Sequence, residues 1–143
     1  MIDEHLLDFW KENFNRYDNV HFAQSDSFRS EDFCNLSYIL DTAYRSGLNV
    51  KDLTIESIGV ARKGSELKLV DLENQEIKNI FKLYPWEWLF KSKEASTLLE
   101  LDVNWLEPAW KALLSNKAML VKLWKDNPNH PYLLEAYANK PLD

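Results

Sequence analysis

Along residues 2–15, Ile2, Leu6, Phe9, Trp10 and Phe14 recur at intervals of three and four, the spacing of a helix with one apolar face. Asp18 and Asn19 favour a turn, and Val20 to Ala23 then reads as a short strand entering the polar segment Gln24 to Ser30. Ser30 can cap the helix that follows, with Glu31 and Asp32 in its first turn, where the helix dipole favours negative charge. Gly47 can end that helix in a left-handed conformation. The pattern assigns Phe33, Leu36, Leu40, Ala43 and Tyr44 to its apolar stripe, and Cys34, beside Phe33, to a buried small side chain.

Beyond Gly47 the rhythm turns to strands. Leu48 to Ile55 predicts a second strand, and Val60 to Arg62 and Leu67 to Val70, flanking Lys63-Gly64-Ser65, predict a hairpin. Ile77, Ile80, Phe81 and Leu83 mark a further strand ending near Leu83, with a short helix starting at Pro85, which disfavours helix before it and tolerates helix after it. Asn104 to Leu106 reads as a short strand, Glu107-Pro108 as a turn into a helix through Leu113, and Asn116 to Trp124 as an amphipathic helix. Asn127 to Pro131 forms a rigid turn. This order predicts an α/β fold with a small parallel sheet. One domain is expected over residues 1–143, and Leu133 to Asp143, with no glycine stop or polar tail, suggests a domain continuing into a longer protein.

Composition narrows the function classes. With 45% apolar residues, 28% charged residues and only three glycines in 143, the chain has material for one packed core and little for flexible linkers. A net charge of −6 argues against a nucleic-acid binder, which needs a basic footprint. The single Cys34 excludes an internal disulfide, no apolar run reaches the roughly 18 to 20 residues that cross a bilayer, and no signal peptide is visible. A cytoplasmic protein is the expectation. There are six tryptophans, and the expectation is that most lie in the core, because large aromatics dominate buried area.

No phosphate-cradling glycine loop, nucleophile elbow or zinc pattern occurs. His5, His21 and His130 have no second ligand at helical spacing, which predicts structural or surface roles and no metal site. Cys34 has no neighbouring histidine to activate it. Glu31 and Asp32 could act as an acid–base pair, although the helix dipole explains their position as well. Lys117 follows Ser115-Asn116 at a helix start, where a cation is slightly unfavourable and an anionic partner such as a phosphate would compensate.

Three segments carry a resemblance: Phe81-Lys82-Leu83-Tyr84-Pro85-Trp86-Glu87-Trp88, Trp105-Leu106-Glu107-Pro108-Ala109-Trp110-Lys111, and Ser115-Asn116-Lys117-Ala118. With Leu123-Trp124, Asn129-His130-Pro131 and Leu133-Leu134 downstream, and Glu31-Asp32 opening a helix after the first strand, they resemble the glutathionylspermidine synthase family over most of Val20 to Tyr137. The resemblance implies a small Rossmann-like, pre-ATP-grasp fold with a parallel or mixed sheet, flanking helices and a hairpin. It implies a carbon–nitrogen ligase in which MgATP activates a peptide carboxylate, glutathione in the named enzymes, as an acyl phosphate that an amine, spermidine, then attacks. Carried over by position, Lys117 would contact the nucleotide, and Glu31 and Asp32 would line the substrate side.

Two departures qualify that expectation. Leu83 stands where the characterised synthases place a threonine beside substrate, and leucine cannot supply that hydrogen bond. The family's upstream magnesium ligands and its downstream second nucleotide lysine, phosphate loop and grasp strands have no counterpart in this sequence, where Lys140-Pro141 resembles the lysine step only superficially. The chain alone is therefore expected to be inactive, with faces that would meet the rest of a longer ligase and could dimerise when bare. The competing expectation, from another class, is a stand-alone binding or scaffold domain that presents a tryptophan-rich surface.

Overall fold

The computed structural model describes residues 2–26 and 31–138. The expected Ser30 cap and the Lys140-Pro141 step lie outside the described residues. The chain divides into two compact units, Met1–Pro108 and Ala109–Asp143.

The first unit is built on a four-stranded parallel sheet in the order β2-β1-β5-β6. Its strands are β1 (Asn19–Gln24), β2 (Asn49–Thr54), β5 (Asn79–Leu83) and β6 (Asn104–Leu106). Between β2 and β5 the chain makes an antiparallel hairpin, β3 (Gly59–Lys63) with β4 (Glu66–Val70). The helices of this unit are α1 (Ile2–Asn13), α2 (Glu31–Arg45), α3 (Trp86–Leu89) and α4 (Ala95–Glu100). The parallel form of the expected sheet is the one found, and the hairpin stands as its own two-stranded sheet.

Strand alternation sorts the core onto two faces. Val20 and Phe22 of β1 face Trp10, Leu36, Ala43 and Leu48 on the α1/α2 side, with Phe81, Leu83 and Leu106 packed against them. Ala23 and Ile80 point the other way, toward Leu69 and Ile77 from the hairpin and its exit and toward Leu98, Leu101 and Trp105. Trp10 anchors the first cluster: its indole N–H donates to the Thr42 hydroxyl at 2.9 Å, and that hydroxyl donates to the Ile39 carbonyl at 2.6 Å. Both polar atoms are thereby paired inside the core.

Several assignments change on folding. Cys34 is exposed, because it sits two residues, about 200° around the helix, from the buried Leu36. Phe33 and Tyr44, at the margins of the stripe, are also exposed, and Thr42 is buried in their stead. Of the tryptophans, Trp10 and Trp86 are buried and Trp105 and Trp124 half-buried, whereas Trp88 and Trp110 are exposed. The four-residue α3 turns only Trp86 and Leu89 inward. The helix α4 had no counterpart in the hydrophobic pattern, and the segment expected as a helix through Leu113 is a 3-10 turn, Ala109–Leu113.

The second unit holds that 3-10 turn and α5 (Ala118–Asp126), followed by the turn around Pro128. Just before α5, the Asn116 side chain accepts from the Ala118 N–H at 2.9 Å.

Candidate functional site

In an open parallel sheet, ligands settle outside the carboxyl ends of the strands, where successive connections leave in opposite directions. The crossover from β1 places β2 on one side of β1, and β5 pairs on its other side. The switch point therefore lies between the exits of β1 and β5. Gln24, Ser25 and Asp26 form one lip, and Leu83, Tyr84 and Pro85 the other. Glu31 and Asp32 open α2, the helix that leaves this edge.

Each flank of the edge is tied down. On the β2 side, Glu56 accepts from the Ser25 hydroxyl at 2.8 Å and from the Asp26 N–H at 3.2 Å, joining the exits of β1 and β2. Burial opposes ionisation of Glu56, yet hydrogen bonds from the backbone and from Ser25 hold its carboxyl below the usual range. On the β6 side, the buried Lys82 amine donates to the Tyr84 carbonyl at 2.7 Å and lies 4.2 Å from the centre of the Trp86 ring. Trp86 in turn donates its indole N–H to the Glu107 carbonyl at 3.2 Å and meets Trp105 edge-on at 5.1 Å. Burial pulls the Lys82 amine down to about 8, against the opposing attraction of Glu107 and Glu87.

Among the described residues the buried side-chain carbonyl oxygen of Gln24 has no hydrogen-bond partner, an arrangement that costs about 1–3 kcal/mol. Glu31 is exposed and Asp32 partly so. Leu83 packs toward the α1/α2 cluster and offers no polar atom. The start of α2 thus presents the carboxylates of Glu31 and Asp32.

Lys117 belongs to the second unit, where it is exposed at the N-cap position of the nine-residue α5. The partial positive charge of a helix N-terminus favours an anion there. Among the described residues there is no group of three or more His, Cys, Asp or Glu side chains that could hold a metal ion. No described helix is long and apolar enough to cross a membrane.

Helix-start positions and the family resemblance singled out Glu31, Asp32 and Lys117 and passed over Gln24, Glu56 and Lys82. For Lys82 a signal existed: strand alternation places it in the inward series with Ile80. A second buried polar group was equally hidden. His21 lies 3.6 Å from Asp71, which accepts from Lys51 at 2.7 Å and from the backbone N–H groups of Glu73 and Gln75 at 2.9 Å each. This cluster sits toward the amino ends of β1 and β2, beside Asn19 and Asn49 and away from the switch point. A cavity of about 520 Å³ on the hairpin side is walled by Ile55, Glu56, Val60, Leu89, Leu98 and Trp105.

A protein of Haemophilus influenzae, assigned by name as an acid–amine ligase, is 44% identical over 139 residues, covering 95% of this chain and 35% of its own length. A trypanothione synthetase of Crithidia fasciculata is 27% identical over 157 residues, covering 86% of this chain and 24% of its own. The chain thus spans about a third or less of these curated relatives. The family model described as glutathionylspermidine synthase preATP-grasp matches residues 1–143, and the chain belongs to that family.

Proposed function

We propose that this chain is the pre-ATP-grasp part of an ATP-dependent carboxylate–amine ligase, with the β1/β5 edge forming part of the amine-side cleft and Lys117 contacting nucleotide. The observation that carries the reading is the family match over residues 1–143, and the carboxylates of Glu31 and Asp32 in the first turn of the helix that follows β1 support it. An ammonium or amine substrate supplies N–H donors and positive charge that carboxylates accept. MgATP would convert the carboxylate partner into an acyl phosphate; the magnesium donors would come from outside the described residues, and the isolated chain would not turn over. The substrate pair is a peptide carboxylate and an amine. Leu83 disfavours glutathione and spermidine themselves, since it provides no hydrogen bond where the substrate backbone would need one. The setting is the cytoplasm, where MgATP is available.

Titrating the chain with MgATP while following tryptophan fluorescence tests the nucleotide role. Saturable binding that weakens about tenfold in Lys117→Ala, the loss of one charge-assisted contact, is expected. Equal affinity in the two proteins removes Lys117 from the nucleotide site.

A further inference from the structure

Lys82 is 5% exposed, and an amine is seldom buried so fully without a task. An ion pair is the usual compensation for a buried cation, and among the described residues no carboxylate accepts from Lys82. Its compensation is instead a main-chain carbonyl two residues onward and the face of one indole. Both partners belong to the turn by which the chain leaves β5. That turn ends in Pro85, whose carbonyl accepts from the Trp88 N–H at 3.1 Å to start α3. Trp86 extends the contact sideways, through the Glu107 carbonyl and the Trp105 ring, to the exit of β6.

We propose that Lys82 is a positioning residue of the switch-point crevice, bracing the Leu83–Trp86 turn that forms its β5 lip and tying that lip to the exit of β6. Lys82 does not face the crevice. Its side chain projects on the hairpin side of the sheet, opposite Leu83, and acts through Tyr84 and Trp86. Its positive charge matters for the ring contact, while its N–H donation to Tyr84 survives loss of a proton. The charged groups that act on the amine are Glu87 on α3 and Glu107 after β6, both of which favour its protonated form. The consequence for substrate rests on the ligase reading; the brace itself does not.

Amide hydrogen exchange and tryptophan fluorescence on the intact chain test the brace without any substrate. In Lys82→Met, which keeps the length of the side chain and removes charge and donor, the Trp88, Leu89 and Phe90 amides should exchange at least tenfold faster, with Val20 to Ala23 unchanged. Lys82→Arg, which keeps both charge and donor, should restore most of that protection. The wild-type fluorescence should step with a midpoint near pH 8 as the amine leaves its charged state over Trp86, and Lys82→Met should lack the step. Unchanged α3 exchange, a loss spread evenly through β1 and β5, or a fluorescence step that persists in Lys82→Met overturns the proposal. These outcomes are independent of the Lys117 titration, so the brace and the ligase reading fail separately.

Discussion

Burial holds the His21 imidazole below its ordinary range, with Asp71 pulling the other way and Lys51 adding to the depression. The folded state therefore prefers neutral His21, while the unfolded chain takes up a proton near pH 6.5. Stability from this residue is fully present above that value and declines as the pH falls through it toward the lower folded-state value. Urea denaturation between pH 7.5 and 5 should show that decline, and His21→Gln should flatten it. Asp71 acts in a lower window. Burial would raise its pKa, but Lys51 and the backbone donors at Gln75 and Glu73 outweigh that, so its contribution fades only as the pH falls below the usual carboxylate range. None of this was legible in the sequence, where His21 stands within an apolar strand and Asp71 reads as one more turn residue. A buried charge is recognisable only once its partners, here 20 and 50 positions apart in the chain, have been brought together.

The elements were more legible, because each depends on neighbours in sequence. The Gly47 stop of α2 is a case: its φ of +93° and a Cβ position 3.3 Å from the Arg16 side chain leave room for no other residue without strain. Gly47→Ala should cost about 1–2 kcal/mol, measurable as a lower urea midpoint. Trp10 is the counterpart in packing. It contacts Phe9, Phe14 and Phe22 and satisfies Thr42, so Trp10→Ala should destabilise the chain by about 3–5 kcal/mol. Strands β1, β2, β5 and the hairpin all followed from alternation and turn residues. The six-residue α4 did not, since it is shorter than two helical turns and has no side-chain cap hydrogen bond to announce its start. The apolar stripe of α2 was drawn too wide for a related reason: periodicity shows which residues share a face, whereas the width of the face actually covered depends on the sheet beneath it. Thr42 shows the limit most directly, since its burial depends on an indole 32 residues away.

At the scale of the whole molecule, the three site residues read from sequence fall into two compact units, Glu31 and Asp32 in one and Lys117 in the other. Their proposed roles should therefore separate experimentally. Replacing Glu31 and Asp32 together by alanine should cost only about 1 kcal/mol of stability, the loss of two favourable dipole contacts. In a ligase that contains this chain, the same change should raise the KM for the amine about tenfold or more, the value of a lost charge-assisted hydrogen bond. Unchanged KM and kcat would leave the two carboxylates as helix-dipole partners alone. The α/β class was readable from the alternation of elements, whereas the crevice became visible only with the strand order, because a switch point is a property of topology and no single residue announces it. The same crevice carries its own reporter position. Cys34 is the sole thiol in the chain, solvent-facing and one helical turn beyond Glu31, so a maleimide dye would attach at one defined place beside the acidic end of α2 and convert occupancy of that edge into a colour change.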